Sequence, residues 1–205
     1  MSSILDAVER YYTDKLRLHG ITHAGVDWNS SESQLLRFDQ LLRLVPSDES
    51  SSLIDYGCGY GALLDYLRRR RRSADYQGYD ISTAMIQTAQ ETHAGESDCE
   101  FVSSEAALHR ADYAVASGIF NVKLEIGIEE WQQHVLLTLA RLNEVSTRGF
   151  AFNALTAYSD PDKRRSTLYY ADPCYYFDYA RRTFSRNVAL LHDYGLYEFT
   201  LLVRK

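Results

Sequence analysis

The chain has 205 residues, 45% apolar and 24% charged, the size and balance of one globular domain with a modest cap and a buried core, which excludes disordered, collagen-like and low-complexity classes. Twenty-two Lys and Arg stand against 28 Asp and Glu, a net charge of −6 with a pI near 5.5, so the chain as a whole is not the basic footprint of a nucleic-acid binder. It carries no run of apolar residues long enough to span a membrane.

In chain order, Ile4, Leu5, Val8, Tyr11, Tyr12 and Leu16 recur at helical spacing, and Gly20 suits the stop. A loop runs through Gly25 to Trp28. Ser31 with Gln34 reads as a capping box opening a helix with an apolar stripe from Leu35 to Val45, ended by Pro46. From Ser51 strands and helices alternate. Leu53–Tyr56 is a short buried strand, Gly57 to Gly61 a turn, and 62–72 a helix. A second strand, 76–79, ends at Asp80, and Ser82 caps the next helix. Strands follow at 100–103 and 112–117, then an amphipathic helix around Trp131 to Leu142. Phe150–Phe152 is a fifth strand, and Asp172 with Pro173 marks another helix start. Strands at 186–192 and 197–203 pair antiparallel across Gly195.

This alternation predicts an α/β, Rossmann-like doubly wound sheet of seven mostly parallel strands with an antiparallel C-terminal strand. A helical lid over residues 1–48 precedes a core over 49–205. The start, Met1-Ser2-Ser3-Ile4-Leu5-Asp6, lacks a basic-then-apolar signal pattern. Cys58, Cys99 and Cys174 have no metal-ligand spacing, so thiols in a reducing, cytoplasmic setting and no metal are expected.

The strongest signal is Asp55-Tyr56-Gly57-Cys58-Gly59-Tyr60-Gly61, at the end of a strand and the start of a helix. Glycine there permits positive φ and close ligand approach. Asp80 ends the next strand, and its two oxygens suit the two hydroxyls of a ribose. Both features converge on the carboxyl edge of the sheet, where ligands of such folds bind. An adenosine-type cofactor is expected. Gly57-x-Gly59-x-x-Ala62 also satisfies a loose dinucleotide fingerprint, which keeps a nicotinamide cofactor open.

An acid followed by three alternating glycines, with a second acid ending the next strand, resembles the class I S-adenosylmethionine-dependent methyltransferases. The resemblance covers about Ser51 to Thr156 and extends, through strand order, to Lys205. It implies that Gly57, Gly59 and Gly61, with Asp55, pass the amino-acid portion of S-adenosylmethionine, and that Asp80 takes the ribose. It further implies that Ile81 and Met85 flank the adenine, that Ser104 and Glu105 stand near its amino group, and that Ser117, Gly118, Ile119 and Phe120 lie by the sulfonium. S-adenosylhomocysteine is the implied product. The short remainder after the fifth strand favours this family over a dehydrogenase, which needs a separate substrate domain.

Tyr11, Trp28, Gln34 and Arg37 are lid candidates for cofactor contact, Arg37 as a bidentate clamp on a carboxylate. Sixteen of the 26 aromatics are tyrosine, and eight of these lie between Tyr158 and Tyr197. Tyr158, Tyr169 and Tyr170, with Phe120 and Asn153, are candidates for an acceptor pocket. His192 is the candidate general base and Tyr169 a second catalytic candidate. Arg68 to Arg72 complements a helix C-terminus rather than binding nucleic acid. The expected activity is methyl transfer to an O, N or C nucleophile of a small molecule. A minimal nicotinamide oxidoreductase and a catalytically idle nucleotide-binding subunit are the alternatives.

Overall fold

The computed structural model describes residues 2–28, 30–47 and 50–205. Six α-helices are α1 (Ser2–His19), α2 (Ser31–Leu41), α3 (Ala62–Arg69), α4 (Thr83–Thr92), α5 (Ile128–Val145) and α6 (Pro173–Thr183). Seven strands are β1 (Ser51–Tyr56), β2 (Ala74–Tyr79), β3 (Cys99–Val102), β4 (Ala111–Ala116), β5 (Ser146–Leu155), β6 (Asn187–Leu191) and β7 (Glu198–Arg204). They form one sheet in the order β3-β2-β1-β4-β5-β7-β6. The first five are parallel, and β7 runs antiparallel to both β5 and β6. The expected sheet and its antiparallel C-terminal strand are therefore observed.

Alternating side chains feed two apolar layers, because successive strand residues point to opposite faces. Ile54, Ala114, Phe150, Phe152 and Leu201 pack on one face with Trp131, Val135 and Leu139 of α5 and Tyr176 of α6. Leu53, Val115, Ala151 and Leu202 pack on the other with Phe38 and Leu41 of α2, Leu63 and Leu67 of α3 and Ile86 of α4. Strand order reverses between β1 and β4, each of which sends its chain away in opposite directions. The carboxyl ends of those two strands open a crevice, the usual ligand position in such a sheet.

Local chemistry sets the helix starts. Ser82 accepts from the Met85 amide at the head of α4, and Asp172 accepts from Cys174 and Tyr175 at the head of α6, with Pro173 in the first turn. The α2 cap corrects the expected one. Ser30, extended at φ −157° and ψ 160°, accepts from Ser33, so the box shifts back one residue and Gln34 is released from capping. The helix after the glycine turn stops at Arg69, short of Arg72, because Arg71 turns left-handed at φ 54°. Three of the five arginines of the run are paired within the protein. Arg68 pairs with Glu96 and Asp98, Arg70 with Asp39, and Arg72 donates to the carbonyls of Val45 and Pro46.

No helix among the described residues is long and apolar enough to cross a membrane. The expected lid–core boundary at 48/49 lies outside the described residues.

Candidate active site

The turn after β1 is pinned to the end of β2. The amides of Gly57 and Cys58 both donate to the Tyr79 carbonyl, at 2.7 and 2.9 Å. Gly57 has φ +84°, and a Cβ there would sit 2.2 Å from the Ile119 Cγ2. The position therefore excludes any side chain on two counts. Asp80 bridges the turn and the next helix. Its Oδ2 accepts from the Gly59 amide and its Oδ1 from the Ser82 amide, each at 2.9 Å.

Burial raises the Asp80 carboxyl to about 6, outweighing the two amides, which favour the ionised form. Asp55, buried beneath the turn, accepts from the Tyr76 hydroxyl at 2.7 Å. Burial raises its pKa to about 7; the Tyr76 bond opposes this and the Asp80 charge adds to it. Two carboxyls thus titrate near neutrality under one glycine turn, an arrangement more common at functional sites than elsewhere.

The β4 exit faces the turn. Gly118, at φ +73°, donates its amide to Asn153 Oδ1 at 2.7 Å. Asn153 on β5 is fully buried and so sets the height of Gly118. The Ser117 Oγ and Asn153 Nδ2 beside it are buried without a partner among the described residues. Trp28, from the segment between α1 and α2, lies against Gly118, where a Cβ would come within 2.1 Å of the indole Cη2. The Arg37 guanidinium stacks 4.0 Å from the Trp28 ring centre. Its Nε and Nη2 grip both oxygens of Glu198 on β7, at 2.7 and 2.6 Å. Asn121 Nδ2 donates a further hydrogen bond to Glu198 Oε1 at 3.4 Å.

Trp28, Gln34, Asp55, Gly57, Gly59, Asp80, Met85, Ser117 and Gly118 line one pocket together. Tyr12, Val26, Phe38, Cys58, Ala62 and Ile119 complete its wall. Of these six, Ile119 was expected with the fourth-strand exit under the sulfonium; the other five were passed over as site residues. Ala62 belongs to the loose fingerprint, so it had a signal. Tyr12 had one too, as the residue next to Tyr11; one step along a helix turns a side chain by about 100°. Tyr11 instead donates to Asp27 Oδ2 at 2.7 Å.

The remaining candidates lie elsewhere. Arg37 lines the neighbouring cleft and is committed to Glu198. Gly61, at φ +91°, lets His93 and Phe101 pack close. Ile81 is half-buried and not part of the pocket wall. Ser104 caps a single turn by accepting from Ala106, and Glu105 accepts from the Tyr56 hydroxyl and faces Arg141. Phe120 is core, its carbonyl bonded by the Trp131 indole. Tyr169 is core as well, its hydroxyl 2.9 Å from that of Tyr176. Apolar burial took both from the pocket. His192 is exposed beside exposed Tyr158, their ring centres 5.9 Å apart, because β6 is an outer strand. Asn153 acts from behind Gly118. Tyr170 alone of the acceptor candidates faces the cleft.

That cleft, about 610 Å³, adjoins the first pocket and shares Tyr12, Val26, Trp28 and Gly118 with it. The size is that of small-molecule sites.

Comparison with known proteins agrees with this layout. A family model described as a methyltransferase domain matches residues 30–180. Rv1506c of Mycobacterium tuberculosis, assigned as a methyltransferase, is 52% identical over 164 residues, covering 80% of this chain and 99% of its own. Magnesium protoporphyrin IX methyltransferase of Synechocystis PCC 6803, solved with bound S-adenosylhomocysteine, superposes with a TM-score of 0.67 at 17% identity, over 100% of this chain and 99% of its own. The N-methyltransferase NodS of Bradyrhizobium japonicum, in complex with S-adenosylhomocysteine, gives 0.64 at 14% identity, over 97% and 98%.

Proposed function

The chain belongs to the class I S-adenosylmethionine-dependent methyltransferases, and from that premise we propose that it methylates an O, N or C nucleophile of a small molecule held in the cleft beside Gly118. One observation carries this reading: the cleft of about 610 Å³ meets the cofactor pocket at Trp28 and Gly118. The pocket residues fit the cofactor. The glycine turn leaves room that a Cβ would fill, and the orphaned Ser117 Oγ and Asn153 Nδ2 stand at the same edge.

When bound, S-adenosylmethionine supplies a methyl group on a cationic sulfur. Asp80 would accept from ribose hydroxyls, and Met85 would pack on the adenine. The glycine turn would admit the amino-acid portion. Trp28 would exclude water and present an aromatic face suited to a cation. Positioning supplies most of the rate gain in such a transfer, and neither His192 nor Tyr169 lines the pocket or cleft. A proton carried by the acceptor would pass to bulk water. We place lid 1–48 over core 49–205 and the reaction in the cytoplasm, a setting consistent with three free thiols.

Incubation with radiolabelled S-adenosylmethionine and a panel of phenols, amines and hydroxy acids is expected to label a small product. Label confined to nucleic acid or protein, or no transfer over the whole panel, would overturn the proposal.

The Asp80 titration gives a second test. Its unfolded value is about 3.9 and its folded value about 6. Below the lower value both states are protonated and the group is neutral to stability. As pH rises through that window the unfolded chain ionises first, so stability from this group falls until about 6. Ligand hydroxyls favour the ionised carboxylate, so cofactor affinity runs the other way. Calorimetry with S-adenosylhomocysteine should show affinity dropping as pH falls below about 6, by up to ~10-fold per pH unit. A flat profile from pH ~7.5 to ~5 would show that the Asp80 charge is not used.

A further inference from the structure

We propose that the acceptor carries an oxyanion, seated in the cleft on Arg165 with the third arm of Arg37 behind it. The inference rests on the methyl-transfer reading and names the acceptor class of the same site.

The protein is acidic overall at −6, yet the wall between β5 and α6 brings Lys163, Arg164 and Arg165 to the cleft. The groups around them are largely satisfied. Lys163 bonds the Tyr197 hydroxyl at 3.1 Å and faces Asp160. Arg164 donates to the carbonyls of Ser159 and Ala157 and lies over the Tyr170 ring. Of the cleft's acids, Asp27 is bound by Lys15 and Tyr11, and Glu198 by Arg37. The third, Asp162, is exposed.

Arg165 differs. Its backbone amide is held by the Tyr170 hydroxyl at 3.0 Å, but its guanidinium has no partner among the described residues. It lines the cleft together with Tyr12, Trp28 and Arg37 of the N-terminal segments.

The second observation is independent. Arg37 is 6% exposed and lines the cleft, and its Nη1 is buried without a partner among the described residues. Buried donors of this kind are nearly always satisfied in folded proteins. A carboxylate or phosphate offers oxygens to both guanidinium groups, in a geometry matched to the planar fork of Arg165, with the Arg37 Nη1 that the Glu198 pair leaves over as a further donor. Tyr12 and Trp28 then face the rest of the acceptor, toward Gly118.

The test uses the full chain saturated with S-adenosylhomocysteine, reading Trp28 fluorescence, which Arg37 stacking makes sensitive to an arriving anion. Two matched pairs distinguish the sources of the oxyanion: 4-hydroxybenzoate against 4-hydroxybenzamide, and phenyl phosphate against phenol. At least one anion should bind ~10-fold or more tightly than its neutral partner, a charge-assisted preference. Arg165→Gln should reduce that preference to within ~2-fold while S-adenosylhomocysteine still binds. Arg165 is exposed, so the variant should fold as wild type. No anion preference in either pair, absence of binding included, overturns the inference, as does a preference that survives Arg165→Gln. S-adenosylhomocysteine failing to bind overturns the methyl-transfer reading and this inference with it; normal binding with no anion preference overturns this one alone.

Discussion

Asp80→Ala abolishes the thermal shift that S-adenosylhomocysteine gives the wild-type chain. At ~100 times its dissociation constant a ligand adds about 2.7 kcal/mol, which for a domain of this size raises Tm by roughly 5–10 °C. Asp80 accepts from Gly59 and Ser82, so one carboxylate both shapes the turn and presents its remaining lone pairs to the pocket. Hydrogen bonds to a charged group contribute about 1.5–3 kcal/mol each. Losing two to a ribose costs at least ~100-fold in affinity. The ligand-free variant should still melt cooperatively near the wild-type temperature, because removing a half-buried carboxylate relieves its desolvation while the two amides lose their acceptor. A wild-type thermal shift in the variant would show that the ribose lies elsewhere.

Glu198→Ala should destabilise the whole chain. The ion pair it breaks is buried on both sides, at 8% and 2% side-chain exposure, and one Arg37 nitrogen is already unpartnered. Removing one member of such a pair leaves a buried charge and costs about 3–5 kcal/mol, a fall in Tm of roughly 6–20 °C at this chain length. The double variant Arg37→Met, Glu198→Leu should recover most of that loss, since no charge then stays buried. Calorimetric melting of the two variants checks both statements. A Glu198→Ala melt within about 1 °C of wild type would mean that water reaches the guanidinium.

The sheet was readable because its signals are local. The strand at Leu53–Tyr56, the glycine turn and Asp80 lie within 28 residues of one another in sequence, and the structure brings Asp55, Gly57, Gly59 and Asp80 to one pocket wall. The lid was readable only in part. Arg37 had the right chemistry for a carboxylate, but its carboxylate is Glu198, 161 residues away, and no periodicity reports a partner at that distance. Phe120 and Tyr169 sit on chain segments bordering the site, yet their bulk is buried against Trp131 and Tyr176. Sequence position alone does not separate a pocket tyrosine from a core one. His192 was placed by its strand end, and the sheet order then put that strand outermost. Tyr12 was missed for Tyr11 because both carry the same side chain on neighbouring helix faces.

The place of β7 has a consequence for biosynthesis. Among the described residues strand β6 pairs only with β7, and β7 inserts between it and β5. A nascent chain that has emerged through Leu191 therefore holds five strands that can pair and a sixth that cannot. The edge of β5 stays open to other chains until β7 arrives. That same strand brings Glu198 to Arg37. Closing the sheet and forming the Arg37–Glu198 clamp on the second helix are thus one event, deferred until Glu198–Arg204 has emerged.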